Sequence, residues 1–235
     1  MNPTGKTASP KVLAVHPNLD RLPANILRAH IVFDRPMQTA EALKHIKLID
    51  DRQNDISDAL LDLTDGLWTT DGRILTILFH PGRVKTGLVA GERYGSIFTE
   101  GRTYQLVVSG KILGANGKSL ESDYYHSFEI APAIRQGFLP IPDKLLLKKN
   151  VVRVETNQPL DWLSLQTYLA VTDESDRRLK ANFSLTADGK AIAIHMDEFA
   201  FEERRFLRVH PQLEDVAGNR ADVPLELSAS TVGKY

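Results

Sequence analysis

The chain repeats itself, and the repeat leaves few folds open. Pro36 of VFDRPM and Pro159 of ETNQPL stand 123 residues apart, as do Asp50 of IKLIDD and Asp173 of LAVTDE. Asp71-Gly72-Arg73 matches Asp188-Gly189-Lys190 at an offset of 117, and Leu75, Ile77 and Phe79 then fall on Ile192, Ile194 and Met196. Leu106, Val108 and Ile112 fall on Leu207, Val209 and Leu213 at an offset of 101. In-and-out parity survives every step, whereas a slip of one residue would turn each strand to its other face. The 235 residues therefore hold two copies of one unit, with shorter loops in the second.

That unit is β-rich. In NILRAHIVFD, Leu27, Ala29, Ile31 and Phe33 share one face, the period-two signature of a half-buried strand. In RILTILFHPG, Leu75, Ile77 and Phe79 lie on one side and Ile74, Thr76 and Leu78 on the other, which predicts a strand covered on both faces. TYQLVVSG alternates Tyr104, Leu106 and Val108 against Gln105, Val107 and Ser109. Asp65-Gly66, Asp71-Gly72, Pro81-Gly82 and Asn116-Gly117 punctuate these runs as turns. Helix is confined to one short piece per copy: TAEALKHI with Thr39 as N-cap, and DWLSLQTY with Asp161 as N-cap. APAIRQGFLPIPDK, residues 131–144, has three prolines and no periodicity, and reads as a linker or a pre-strand. The organisation expected is a flexible leader over 1–10, a first domain over 11–131 with a long loop at 81–101, and a second domain over 132–235.

The order of these pieces resembles the bacterial Ig-like domains of S-layer and other cell-envelope proteins. Phe33, Asp34, Pro36, Met37, Asp50, Tyr104 and the Asn116-Gly117 turn carry the resemblance in the first copy. Asn157, Pro159, Leu160, Asp173, Leu207 and LEDVAGN carry it in the second. The copies depart from the pattern where Thr156 replaces the aromatic, where Arg205 replaces Tyr104, and where Leu113-Gly114 stands for Glu-Asp. The resemblance implies an all-β fold of two tandem Ig-like β-sandwich domains with one short helix each. It also implies an exported protein in which such domains space, display or bind. It implies no reaction, because a fold hosts sites without dictating them.

Composition narrows the chemistry. Net charge is -1, so no electrostatic footprint for nucleic acid is present. Cysteine is absent, which removes disulfides, thiol catalysis and cysteine metal sites. No apolar run reaches the roughly 18 residues of a membrane span. MNPTGKTASPK lacks the apolar core of a signal peptide. Two placements fit: periplasm or cell surface, with an export signal or lipid anchor removed ahead of residue 1, or cytoplasm.

Each candidate motif has a plain structural alternative. GANGKS mimics the end of a phosphate loop, but Ile112 stands where its first glycine belongs, and Gly117 falls on Gly218 of VAGNR. An Asn-Gly turn is the reading. His195, Asp197 and Glu198 lie close in sequence, yet no further metal-ligand spacing accompanies them. DDRQND lacks the glycine bend of a calcium loop and, like TDESDRR, reads as a solvated turn. No nucleophile elbow occurs, so no catalytic residue, cofactor or metal is assigned and the chain is read as no enzyme. Trp68 and Trp162 are the sugar-stacking candidates, with core packing as the ordinary role of Trp162.

The first copy carries one large insertion. Between Phe79 and Tyr104 the offset falls from 117 to 101, so the second copy bridges the interval with 16 fewer residues. The 81–101 loop offers Arg83, Lys85, Arg93, Tyr94 and Phe98 as ligand contacts. Its structural alternative is a segment packed on a sheet edge or on the second domain. The function expected is a non-catalytic envelope module with a structural, spacer or adhesive role, its partner a cell-surface protein or polysaccharide. The alternatives are a carbohydrate- or protein-binding module using this loop, and a hydrolase with a site between the domains.

Overall fold

The computed structural model describes residues 8–63, 65–80, 83, 96–137, 140–148, 151–196, 205–221 and 225–228. The chain divides into two compact units, Met1–Ala133 and Ile134–Tyr235. Each unit pairs two sheets, and each sheet has four strands among the described residues.

In the first unit one sheet runs β1 (Val12–His16), β3 (Arg28–Phe33), β6 (Ile74–Leu78), β5 (Leu67–Trp68). The other runs β2 (Arg21–Pro23), β8 (Tyr124–Ala131), β7 (Thr103–Val108), β4 (Ile46–Asp50). Pairing is antiparallel throughout except for β2, which lies parallel to β8. The chain crosses between the sheets at every connection except β5–β6 and β7–β8, which stay within one sheet as neighbours, and this is the Ig-like order. The second unit keeps the plan. β9 (Pro140–Lys148), β10 (Val151–Thr156), β14 (Ala191–His195) and β13 (Asn182–Leu185) form one sheet. β12 (Arg178–Leu179), β11 (Leu169–Thr172), β15 (Phe206–Val209) and β16 (Leu225–Ser228) form the other.

The first strand separates the copies. In unit 1 it runs to His16, crosses at Pro17 and resumes as β2 on the opposite sheet. Proline has no N–H to give a ladder, so the strand cannot continue through it with full pairing. In unit 2 β9 stays beside β10 up to Lys148, absorbing one irregularity between Val154 and Glu155.

Parity follows the sequence pattern on the inner faces. Ala29, Ile31, Phe33, Leu75, Ile77 and Phe79 are buried in unit 1, as are Val154, Ile192 and Ile194 in unit 2. Each fully buried aliphatic or aromatic side chain contributes roughly 1.5–3 kcal/mol relative to exposure. The outer face of β6 departs from expectation: Ile74, Thr76 and Leu78 are only half-buried. An antiparallel sheet tolerates one partly solvated face. His30 is the buried member of that outer layer, its ring nitrogen 2.9 Å from the Thr76 hydroxyl.

The two short helices differ for a chemical reason. Asp161 caps α1 (Trp162–Tyr168), its carboxylate accepting from the Ser164 N–H at 2.7 Å. The matching position in unit 1 is Gln38. There the chain makes only a 3₁₀ turn, Ala42–His45, entered through Glu41 at φ 58° with no side-chain cap. Thr39 is therefore not a cap.

Candidate functional site

Three pairs of turns recur at matching places, and in each pair an acidic or glycine residue builds the bend. Asp50 accepts from the backbone N–H groups of Arg52 (2.9 Å) and Asn54 (2.8 Å), and Asp173 from those of Ser175 (3.0 Å) and Arg177 (2.9 Å). Gln53 (φ 65°) and Asp176 (φ 60°) occupy the same left-handed position. The Thr69 hydroxyl donates to Asp71 at 2.6 Å and the Thr186 hydroxyl to Asp188 at 2.5 Å, with Gly72 and Gly189 beside them at φ 66° and 68°. Gly117 and Gly218 both take φ 77°, and their N–H groups reach Gly114 O (2.9 Å) and Asp215 O (3.0 Å). The same backbone bond then docks each hairpin on its proline: Ala115 N–H to Pro36 O at 2.9 Å, Val216 N–H to Pro159 O at 3.1 Å. The chain is a tandem pair of Ig-like sandwiches.

These contacts account for most of the chain's suggestive motifs. GANGKS is a hairpin turn closed by Gly114 N–H to Lys118 O at 2.8 Å and by the Leu113–Ser119 bridge. The acidic runs are turn-builders with carboxyls held below the usual range. The Asn54 side chain does this first for Asp50, and the Arg177 backbone N–H for Asp173. Thr69 and Thr186 do it for Asp71 and Asp188. Asp215 is the exception. Burial pushes its carboxyl up against the opposing hydrogen bonds of Asn219, Ala217 and Gly218. His195 is exposed with Nε2 3.2 Å from the Ser184 hydroxyl, and Asp197 and Glu198 lie outside the described residues. Among the described residues no group of three or more His, Cys, Asp or Glu side chains is placed to hold a metal. No helix there is long and apolar enough to cross a membrane.

Of the five ligand contacts expected in the 81–101 loop, Phe98 and Arg83 lie among the described residues. Phe98 is 3% exposed and meets Phe79, Tyr104 and Phe128 edge-on at 5.1, 5.0 and 6.0 Å. It fills the end of the sandwich and presents no face to a ligand. Beside it, the Tyr104 hydroxyl accepts the Thr99 N–H at 3.0 Å, a tyrosine tying its strand to the corner before it. Arg83 lies with its side chain 16% exposed, paired to Asp58 at 3.2 Å. Lys85, Arg93 and Tyr94 lie outside the described residues. Of the tryptophans, Trp68 stacks on Phe33 at 5.9 Å and donates Nε1–H to Asp65 O at 2.9 Å, while Trp162 is half-buried at the start of α1.

One contact set was not anticipated. The leader expected over 1–10 is docked from Ala8 onward. Ala8 O accepts from Arg35 Nη1 at 2.7 Å and from Asn116 Nδ2 at 3.0 Å, and Pro10 is buried. The Lys11 N–H donates to the Asp34 carboxylate at 2.8 Å, and Arg35 holds that carboxylate from 2.7 Å. The signal available in sequence was the Asp-Arg-Pro of unit 1, which becomes Asn-Gln-Pro in unit 2.

No family model matches the chain, and no curated protein matches it. Among solved structures it is similar to the S-layer protein SbsC, at 15% identity and a TM-score of 0.38, over 94% of this chain and 26% of that one. It thus spans about a quarter of the S-layer chain. It is similar to Escherichia coli alpha-2-macroglobulin domains MG0-NIE-MG1 (9% identity, TM-score 0.35, 94% of this chain and 72% of that one). It is also similar to the Ig1-2 module of the Drosophila receptor protein tyrosine phosphatase DLAR (10%, TM-score 0.29, 94% and 98%).

Proposed function

We propose that the chain is a non-catalytic cell-envelope module, two Ig-like domains over 11–131 and 132–235 that space or display a surface component. One observation carries this reading: the polar side chains that suggest chemistry are engaged in duplicated turns. Asp50, Asp71, Asp173 and Asp188 each satisfy backbone N–H groups of their own bend. Cell fractionation of the tagged full-length gene product tests the placement. Recovery with the envelope or periplasm is expected, and recovery with the cytosol contradicts it.

A second reading rests on the largest difference between the copies, the 16-residue excess of the 81–101 loop. With Phe98 in the core, Lys85, Arg93 and Tyr94 are its remaining candidates for gripping a polysaccharide or a surface protein. Glycan-array binding lost on replacing those three residues together supports it. An array with no bound glycan leaves the spacer reading in place.

A further inference from the structure

The turn that mimics a phosphate loop carries a different chemistry. Asn116-Gly117 is the chain's single Asn-Gly pair. The geometry points to Asn116 as a site of spontaneous deamidation whose conversion loosens the docked segment Ala8–Lys11. In the step, the Gly117 backbone nitrogen attacks Asn116 Cγ. An N–Cγ bond forms, the Cγ–Nδ2 bond breaks, and Nδ2 leaves as ammonia carrying the Gly117 amide proton. Water then opens the five-membered imide at either carbonyl, giving aspartate or isoaspartate.

Three observations carry the assignment. Residues 115–119 are exposed, and a Cβ on Gly117 would meet nothing within 4 Å, so the ring has room to form. The groups that restrain the reaction are few: Gly117 N–H bonds Gly114 O at 2.9 Å, and the Asn116 side chain spans Ala8 O (3.0 Å) and Lys118 N–H (3.1 Å). Opening this hairpin tip therefore also gives up one of the two contacts that hold Ala8. Conversion replaces the Nδ2–H donor with a carboxylate oxygen facing the Ala8 carbonyl, so one of that carbonyl's two donors becomes a repulsive acceptor. Docking and reaction are linked through one contact, because the bond from Asn116 to Ala8 O that restrains the side chain is the bond its conversion removes.

The second copy supplies the internal control. Asn219 is followed by Arg220, whose side chain crowds the attacking nitrogen, and its own amide is tied to Asp215 at 2.8 Å. The three Asp-Gly pairs carry carboxyls in place of the amide. Those of Asp71 and Asp188 are held ionised by their threonine partners, which makes them poor acyl donors.

The test is peptide mapping of the full chain after incubation at neutral and mildly alkaline pH, with backbone hydrogen exchange over residues 8–11. The Ile112–Lys118 peptide is expected to gain deamidated forms faster at the higher pH, while the peptide holding Asn219 stays unchanged. Arg35→Met, which removes the other donor to Ala8 O, is expected to speed conversion several-fold. Asn116→Asp is expected to raise exchange over 8–11 several-fold without altering unit 2. The proposal is overturned if Asn116 converts only in urea, if Asn219 converts equally fast, or if Arg35→Met leaves the rate unchanged. Unaltered exchange in Asn116→Asp overturns the coupling to Ala8–Lys11.

Discussion

Units 1 and 2 share their bends and differ in how each closes the ends of its sandwich. Unit 1 crosses its first strand from β1 to β2, docks Ala8–Lys11 under Arg35 and Asn116, and seals one end with Phe98 and Tyr104. Unit 2 keeps its first strand in one sheet, carries Arg205 at the tyrosine position, and caps its helix with Asp161. At the copied hairpin it buries Asp215 where unit 1 has Gly114. Bends with strict backbone demands recur in both copies, while the closures differ in both packing and hydrogen bonding.

Phe98→Ala is expected to have the largest effect. Removing an aromatic from a fully packed end is expected to cost about 3–5 kcal/mol, and to cost it in unit 1 alone. Denaturation followed by Trp68 in unit 1 and Trp162 in unit 2, each in a variant lacking the other tryptophan, separates the two transitions. An unchanged unit 1 would return Phe98 to the surface.

Asp161→Ala probes the opposite unit. Loss of an N-cap costs about 0.5–2 kcal/mol, here in unit 2 only. Gln38→Ala, its positional match, is expected to change unit 1 little, because no side-chain cap exists there to lose. Equal effects in both units would contradict the assigned difference.

Acid should then separate the units by direction. Burial holds the His126 ring below its ordinary value of 6.5. The folded ring thus binds its proton more weakly than the unfolded one. Its stabilising contribution is present above 6.5 and lost as pH falls from there toward the folded pKa. Unit 1 is expected to weaken first on acidification, and His126→Gln to remove that early loss. The turn aspartates, depressed in both copies, lose their contribution only as pH falls below 3.8 through their folded values. Asp215, raised from 3.8 by burial, has the opposite sign. Its contribution is full below 3.8 and lost as pH rises through its folded value, so in strong acid it offsets part of unit 2's loss. The smallest effect belongs to the surface: Asp58→Asn, which removes the Arg83–Asp58 ion pair, should cost no more than about 1 kcal/mol.

Much of the fold was legible because its turns are chemically strict. A left-handed backbone favours glycine, and an Asx-type bend needs an aspartate or asparagine at its start. Those requirements left Gly72 and Gly189, and Asp50 and Asp173, at constant offsets. Strand parity was equally plain on the inner faces of β3, β6 and β7. The candidate site was less legible. Phe98 sits beyond a glycine-rich run that suggests a display loop, and only its distance from Phe79, Tyr104 and Phe128 reveals a core residue. The docking of Ala8 depends on Arg35 and Asn116, 27 and 108 residues away, and no local pattern announces such a contact. Thr39 failed as a cap because the unit 1 helix begins later and through a left-handed Glu41.

Stretching single full chains from their ends tests whether the two Ig-like copies close separately, as the proposed spacer role requires. Two distinct unfolding events are predicted, with the longer extension from unit 1, whose 81–101 loop adds chain. Phe98→Ala should lower the force of the longer event alone. A single concerted event, or a Phe98→Ala effect on both, would contradict the account.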